Sequence, residues 1–266
     1  RACGDAGAEG GWWWPRPSQP PPSGLEPLRR RGSAELRHCF VERLELWMLG
    51  DSVSERLCGY LARTFSPGCP ATSSRASPGS GAPPTSQETS QRCQAACTRL
   101  RANGLFAGGS AAYETALSSL ASSGPAPRGP RRRVLVLNVG LWDAAYGSLA
   151  AYLPGGPLAR LLDAAAALRR NGTEVVWRTT TAVHPQEAAL RGGGLRPKHA
   201  FFTQPRVDEL NRRSLALVRQ AGLRTIDAAA TTRLRPDLLE RGDMRHYGDR
   251  MHAELAQLLA RELCAA

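Results

Sequence analysis

Three residues of this chain have the types and spacing needed for nucleophilic catalysis. Ser52 follows a short apolar run, Leu44 to Leu49, and near the other end of the chain Asp243 precedes His246 by three residues. A histidine that accepts the serine proton makes the hydroxyl a nucleophile. A carboxylate on the far ring nitrogen fixes the histidine tautomer and stabilises the imidazolium. These residue types make Ser52 a candidate nucleophile, His246 a candidate general base and Asp243 its candidate partner.

The local sequence around Ser52 predicts a strand, a tight turn and a helix. After Gly50-Asp51-Ser52, apolar residues recur at helical spacing, at Val53, Leu57, Tyr60 and Leu61. Such a turn holds the Ser52 hydroxyl at the carboxyl edge of a sheet, where unpaired amides of the first helical turn point at any anion that forms. A simpler interpretation is that Asp51 or Ser52 only caps the helix.

The remaining elements alternate between short apolar strands and amphipathic helices. This alternation predicts an α/β fold with a parallel sheet and right-handed crossovers. The predicted strands are 44–49, 133–138, 174–178 and 223–227, with a fifth expected near 100–110, and the clearest helices are 150–170, 207–220 and 249–263. Because the carboxyl ends of neighbouring parallel strands meet at one crevice, Ser52 and His246 can meet despite their separation in sequence.

Asn138 ends the predicted strand 133–138 and has a side-chain amide that could serve the same site. An NH2 group aimed at a developing oxyanion stabilises the transition state, and its loss typically costs about 3 kcal/mol. The alternative is an asparagine that tolerates the turn before Gly140.

Three blocks of the sequence resemble the signature blocks of the SGNH (GDSL-type) hydrolases. Gly50-Asp51-Ser52 is similar to the first block, whose serine attacks an ester carbonyl. Asn138-Val-Gly-Leu-Trp-Asp143 is similar to the third block as it occurs in the PC-esterase and trichome-birefringence-like branch. Asp243-x-x-His246-Tyr247 resembles the last block of the PC-esterase-like members. The blocks stand in the order of the family, and the resemblance covers about residues 38–266.

The resemblance implies a three-layer α/β/α sandwich of the SGNH-hydrolase, flavodoxin-like type. It also implies a carboxyl-ester hydrolase or O-acyltransferase, with acetyl as the expected acyl group, that acts on a carbohydrate or another small ester through an acyl-enzyme. No metal or organic cofactor is implied. The implied oxyanion hole comprises the Ser52 amide, Asn138 and a glycine after the second strand, which is Gly104, Gly108 or Gly109, with Gly108 as our choice.

Further residues near the blocks are expected to bind substrate. Trp-Arg-Thr-Thr at 177–180, followed by His184, is similar to the trichome-birefringence-like pattern, so His184 competes with His246 as general base. Aromatic side chains could stack on a sugar or pack in the core. The expected substrate-binding residues are Asp51, Trp142, Arg178, His184 and Tyr247.

Composition divides the 266 residues into a tail and one domain. Residues 1–37 are rich in proline and arginine and cannot bury enough apolar surface to offset their ordering entropy, so we expect a disordered tail. Residues 38–266 form the predicted domain. Within it, 66–91 is rich in Ser, Pro, Gly and Thr and reads as a low-complexity surface insertion.

The charge of the chain, +12, is a weak guide to function, because 34 of its 35 basic residues are arginine and this uniform preference indicates a compositional bias. The clusters Arg29 to Arg31 and Arg131 to Arg133 are candidate polyanion contacts. Neither has the interleaved aromatics of a nucleic-acid surface, so nucleic acid is not an expected partner. The competing hypothesis is a catalytically inactive module of the same fold that binds glycans or other polyanions through arginines.

The seven cysteines favour an oxidising setting, the Golgi or the extracellular space. We expect one or two disulfides that tie the segment from Cys69 to Cys97 onto the domain, with the pairing left open. Cys93 and Cys97 lack a second Cys or His pair nearby, which argues against a zinc site. The sequence begins with Arg1, so an upstream signal or anchor could precede it, and no apolar run approaches the length of a membrane span.

Overall fold

A parallel five-stranded sheet forms the centre of the fold in the computed structural model, which describes residues 30–67, 96–102, 104–105, 109–122, 124, 131–190 and 201–264. The strands are β1 (Leu44–Gly50), β2 (Thr98–Arg101), β3 (Arg132–Leu137), β4 (Glu174–Arg178) and β5 (Arg224–Ile226). Their order is β2-β1-β3-β4-β5 and every pairing is parallel. This is the flavodoxin-like order of a doubly wound sheet.

The helices cover both faces of this sheet. They are α1 (Ser33–Arg37), α2 (Ser52–Phe65), α3 (Ser110–Ser122), α4 (Leu141–Tyr146), α5 (Pro157–Arg170), α6 (Pro185–Leu190), α7 (Gln204–Gln220), α8 (Ala228–Arg233) and α9 (Asp249–Cys264). A π-helical turn, His38–Arg43, joins α1 to β1, and 3-10 turns lie at Leu149–Tyr152 and Pro236–Leu238. Among the described helices, none has the length and apolar character required to cross a membrane.

Two hydrophobic clusters separate the three layers of the sandwich. Leu135 and Leu137 of β3 pack with α3, α5 and α7, whereas Val134 and Val136 pack with α2 and α9. Successive strand residues point to opposite faces, so a strand covered on both sides is apolar throughout. The predicted α/β/α fold is therefore confirmed.

Two element boundaries differ from those predicted from the sequence. The fifth strand, β2, begins before the predicted interval of 100–110. It lacks an aliphatic run because it lies at the edge of the sheet, where only Leu100 of its four residues is buried. The predicted helix 150–170 is divided into a 3-10 turn and α5, because Pro154 interrupts the helical pattern and Pro157 starts the longer helix.

The compact unit that contains the sheet begins at Gly32 rather than at residue 38. The earlier start has a packing reason: α1 buries Leu36 against the cluster that contains α9. The predicted tail over 1–37 lies outside the described residues up to residue 29. The predicted insertion 66–91 lies outside them from residue 68 onward, so both remain predictions.

Among the described residues, two disulfides connect elements of this unit. Cys39–Cys264 joins the π-helical turn before β1 to the end of α9, and Cys58–Cys97 joins α2 to the residue before β2. The second bond attaches the end of the predicted Cys69 to Cys97 segment to the domain. Cys3, Cys69 and Cys93 lie outside the described residues.

Replacing Cys58 and Cys97 together with alanine should lower the free energy of unfolding by about 2–4 kcal/mol. The bond closes a loop with a sequence separation of 39 and restricts the unfolded chain. Urea unfolding of the variant and of the wild type, both with Cys39–Cys264 oxidised, measures the effect. Identical midpoints for the variant and the oxidised wild type would contradict the prediction.

Candidate active site

The turn after β1 holds Ser52 at the carboxyl edge of the sheet. Asp51 caps α2, since its Oδ1 accepts a hydrogen bond of 2.9 Å from the Val53 amide. Gly50 leaves no room for a side chain: a Cβ atom there would lie 2.4 Å from Ser54 Oγ and 3.1 Å from the Asn138 carbonyl oxygen. This close approach seats the start of α2 directly against the end of β3.

Ser52, His246 and Asp243 form a continuous hydrogen-bonded chain. Ser52 Oγ lies 2.8 Å from His246 Nε2, and His246 Nδ1 lies 2.7 Å from Asp243 Oδ2. The other carboxylate oxygen of Asp243 accepts the backbone amides of Arg245 at 2.9 Å and His246 at 3.0 Å. With its proton on Nδ1, His246 presents an unprotonated Nε2 to the serine hydroxyl, which is the arrangement required of a general base.

The Asp243 carboxyl is held in its ionised form. Burial by itself raises its pKa, but the hydrogen bonds from the His246 ring and from the amides of Arg245 and His246 lower it more. The pKa of Asp243 therefore lies well below its ordinary value. At neutral pH this carboxylate is charged and can stabilise the imidazolium that forms when His246 takes a proton.

The loop that carries Asp243 and His246 is anchored to the loop after β4. The His184 amide donates to the Met244 carbonyl at 2.8 Å, and the Tyr247 hydroxyl donates to the Ala182 carbonyl at 2.9 Å. A short antiparallel bridge also pairs Leu239 with Tyr247. These contacts fix the position of the His246 backbone relative to the ends of the strands.

Solved structures of other proteins share the three-layer architecture of this chain. A member of the lipolytic protein G-D-S-L family from Veillonella parvula DSM 2008 superposes with a TM-score of 0.51, is 12% identical, and aligns over 83% of this chain and 98% of that one. The chain has the fold of the lipolytic G-D-S-L family. An acylhydrolase candidate from Bacteroides fragilis NCTC 9343 gives a TM-score of 0.50 at 12% identity, over 89% of this chain and 98% of that one. No protein-family model and no curated protein sequence matches the chain significantly.

Within this G-D-S-L fold, three expected substrate contacts are not supported, because the residues are buried. Asp51, Arg178 and Tyr247 are 2%, 1% and 0% exposed. Asp51 caps α2, Arg178 donates to Ser54 Oγ at 2.8 Å beneath the nucleophile helix, and the Tyr247 hydroxyl is bonded to Ala182. All three residues hold neighbouring elements in place and expose almost no surface to a ligand.

His184 and Trp142, the other expected substrate ligands, are half-buried. The His184 ring donates from Nε2 to the Thr232 carbonyl at 3.2 Å and packs edge-on against Tyr247. Burial lowers the His184 pKa and the Thr232 contact opposes this shift only in part. Because Ser52 is hydrogen-bonded to His246, the structure does not support His184 as the general base.

Asn138 directs its amide group toward the end of β4. Its Nδ2 donates to the Arg178 carbonyl at 3.0 Å and lies 3.4 Å from Thr180 Oγ1, and the residue is 1% exposed. The side chain thus joins the end of β3 to the end of β4, its neighbour on the side away from β1. The expected oxyanion role of Asn138 is not supported, because its donors are already used within the protein.

Two backbone amides remain as candidates to hold an oxyanion. The Ser52 amide begins α2, and Gly104 follows β2, whose extension is bonded to the nucleophile turn through Ala102 N and Gly50 O at 3.0 Å. Neither amide donates to another described residue. Gly104 has a φ of +145°, which glycine adopts readily. The chosen Gly108 lies outside the described residues, and Gly109 leads into α3.

Asp143 positions the segment after Gly104, a role that sequence analysis missed. This carboxylate is 1% exposed and accepts the Leu105 amide and the Tyr152 hydroxyl, both at 2.8 Å. Burial and the Asp143 charge raise the pKa of Tyr152 well above its ordinary value, so the phenol stays protonated and donates. The only sequence signal was the presence of Asp143 in the third block.

Replacing Asp143 with alanine should free the Leu105 amide. A hydrogen bond to a charged group contributes about 1.5–3 kcal/mol, so hydrogen exchange at Leu105 should accelerate by about 10- to 100-fold. Tyr152→Phe is the matched control, because it removes only the other bond to Asp143. Unchanged exchange at Leu105 in Asp143→Ala, after correction for global stability, would contradict this positioning role.

Proposed function

We propose that this protein is a serine-dependent carboxyl-ester hydrolase or O-acyltransferase. The observation that carries the proposal is the chain of hydrogen bonds from Ser52 through His246 to Asp243, at 2.8 Å and 2.7 Å. Such a chain on the carboxyl edge of a parallel sheet is the arrangement that activates a serine for acyl transfer.

The proposed reaction has two steps. Ser52 Oγ attacks the ester carbonyl carbon while His246 Nε2 takes its proton, and the amides of Ser52 and Gly104 stabilise the oxyanion. The tetrahedral intermediate expels the alcohol, which receives the proton from His246. Water or an acceptor hydroxyl then attacks the acyl-enzyme with His246 again as base, which releases the acid or the new ester and restores Ser52. None of these steps needs a metal or an organic cofactor.

We propose an acylated carbohydrate as substrate and acetyl as the acyl group, following the resemblance to the PC-esterase branch. An aromatic group supports this choice: Trp142 stacks on Tyr146 with ring centroids 5.5 Å apart, and Tyr146 is 42% exposed. Phe201, next to the buried Phe202 that contacts both rings, is 60% exposed. Flat exposed rings suit the apolar face of a sugar.

The competing hypothesis, an inactive module that binds polyanions, gains little from the arginine cluster at 131–133. Arg131 donates to the Leu44 carbonyl, while Arg132 and Arg133 pair with Glu174 and Glu45. These side chains are used at the amino end of the sheet, opposite the catalytic edge.

We propose that the protein belongs to the secretory pathway, because both disulfides require an oxidising compartment to persist.

A fluorophosphonate probe should label wild-type protein at Ser52 and leave Ser52→Ala unlabelled. His246→Ala should slow labelling by about 100-fold or more, because general base assistance typically contributes 10²- to 10⁴-fold. Mass spectrometry of the labelled peptide identifies the serine. His184→Ala is the matched control and should label at close to the wild-type rate. Labelling of His246→Ala at the wild-type rate, or loss of labelling in His184→Ala, would overturn the assignment.

A quenched reaction with an acetyl donor, such as p-nitrophenyl acetate, should leave an acetyl group on the peptide that contains Ser52. Adding an oligosaccharide acceptor distinguishes the two outcomes: acetate alone indicates a hydrolase, and an acetylated oligosaccharide indicates a transferase. His246→Ala should form neither product at a measurable rate. Absence of acetyl-Ser52 together with unconsumed donor in the wild type would rule out both activities.

A further inference from the structure

Arg245 lies in the catalytic loop, between Asp243 and His246, and its side chain is held by aromatic rings. The guanidinium carbon is 5.5 Å from the centroid of the Trp142 ring and 5.1 Å from that of Phe202. The two rings meet edge to face, with centroids 6.0 Å apart. These cation–π contacts hold the guanidinium against the two rings.

This guanidinium has no counter-charge among the described residues. Several arginines of the fold pair with carboxylates, as Arg213 does with Glu209, and others donate to backbone carbonyls, as Arg206 does to the Gly147 carbonyl. The Arg245 side chain makes neither a hydrogen bond nor an ion pair with any described residue, and its Nε is buried without a partner. Asp243, the nearest carboxylate in sequence, is bonded to the His246 ring and to two amides.

Partial burial of the Arg245 guanidinium without a counter-charge costs desolvation free energy. Two cation–π contacts offset that cost only in part. A bound anion would supply the missing partner. The aromatic rings cover the guanidinium and hold it in place, while its terminal nitrogens remain as donors for a planar, bidentate contact with an oxyanion. Because its position is already fixed, little side-chain freedom would be lost on binding.

The place of Arg245 in the loop indicates which part of the substrate it meets. His246 must protonate the oxygen of the departing alcohol, so the alcohol part of the ester lies on the His246 side of Ser52. Arg245 directly precedes His246 in the chain, and the exposed Tyr146 packs against Trp142 and Phe202, the rings that the guanidinium contacts. The charge and the aromatic surface therefore lie together.

We propose that Arg245 binds an anionic group, a carboxylate or another oxyanion, on the alcohol part of the ester substrate. The proposal rests on the esterase or acyltransferase function proposed above and narrows its substrate class to acidic esters. Arg245 is then a specificity-determining residue for the same reaction.

A pair of substrates that differ only in charge tests this role. One is an O-acetylated methyl glucuronoside, and the other is its uronate methyl ester. At low ionic strength the wild type should favour the acid in kcat/KM by about 10- to 100-fold, equivalent to about 1.4–2.7 kcal/mol. Arg245→Gln should bring the ratio close to one, and Arg245→Lys should give an intermediate ratio because it keeps the charge and loses the planar group.

Arg241→Gln is the matched control. It removes the same charge from an exposed position two residues before Asp243, so it measures the effect of net charge alone. The control should keep most of the wild-type preference for the acid. A wild-type ratio near one, or an Arg245→Gln ratio equal to that of the wild type, would overturn the proposal and leave Arg245 as a packing residue.

A binding measurement separates this proposal from the catalytic one. Glucuronate and a sugar phosphate are titrated into Ser52→Ala and into Ser52→Ala with Arg245→Gln, with calorimetry as readout. Binding that disappears in the double variant supports anion recognition even where Ser52 proves unreactive, and the preferred ligand tells a carboxylate from a phosphate. Equal binding by both proteins, or no binding of either anion, would overturn it.

Discussion

The hydrogen bond between Ser52 Oγ and His246 Nε2 joins residues 194 positions apart and depends on nearly every part of the fold. Ser52 is placed by the central strand β1 and by the capped start of α2, whereas His246 is placed by a loop that precedes α9. The two can meet because parallel strands bring their carboxyl ends to one edge and because α2 and α9 pack against the same face of the sheet. The Cys39–Cys264 disulfide ties the residues before β1 to the end of α9 and so restrains the same pair of elements.

Beneath the catalytic edge lies a buried polar layer that positions the site. Asn138, Arg178 and Ser54 connect the ends of β3 and β4 to the nucleophile helix, and Asp143 connects the segment after β2 to α4. Burial lowers the pKa of Arg178, while the nearby Asp51 charge opposes this shift. The hydrogen bonds that these residues do make lie in a low-dielectric interior, where they hold the side chains in one arrangement. Polar residues at the strand ends therefore serve here as a rigid base for the few groups that reach the surface.

The groups at the catalytic edge supply the charges and the hydrogen-bond donors of the proposed reaction. The Asp243 carboxylate stabilises the protonated form of His246, while the Ser52 and Gly104 amides offer donors for the oxyanion. Arg245 adds a positive charge from the same loop, and its guanidinium contacts the Trp142 and Phe202 rings. Since the Asp243 carboxylate is occupied by His246, it does not neutralise Arg245. In the proposed mechanism, one short loop combines the general base with a determinant of substrate charge.

Local sequence alone determined the features that depend on neighbouring residues. The aliphatic run from Val134 to Leu137 predicts a buried strand, Gly50-Asp51-Ser52 predicts a strand, turn and helix, and three residues from Asp243 to His246 suffice for a carboxylate to meet the ring. Features that depend on what a side chain faces were decided only by the tertiary structure. Contacts between residues distant in sequence turn the Asn138 side chain toward β4 and bury Arg178 and Tyr247. Such contacts also pair the polar segment 98–101 with β1. A residue type specifies which hydrogen bonds a side chain can make, but the packing of the elements selects the partner.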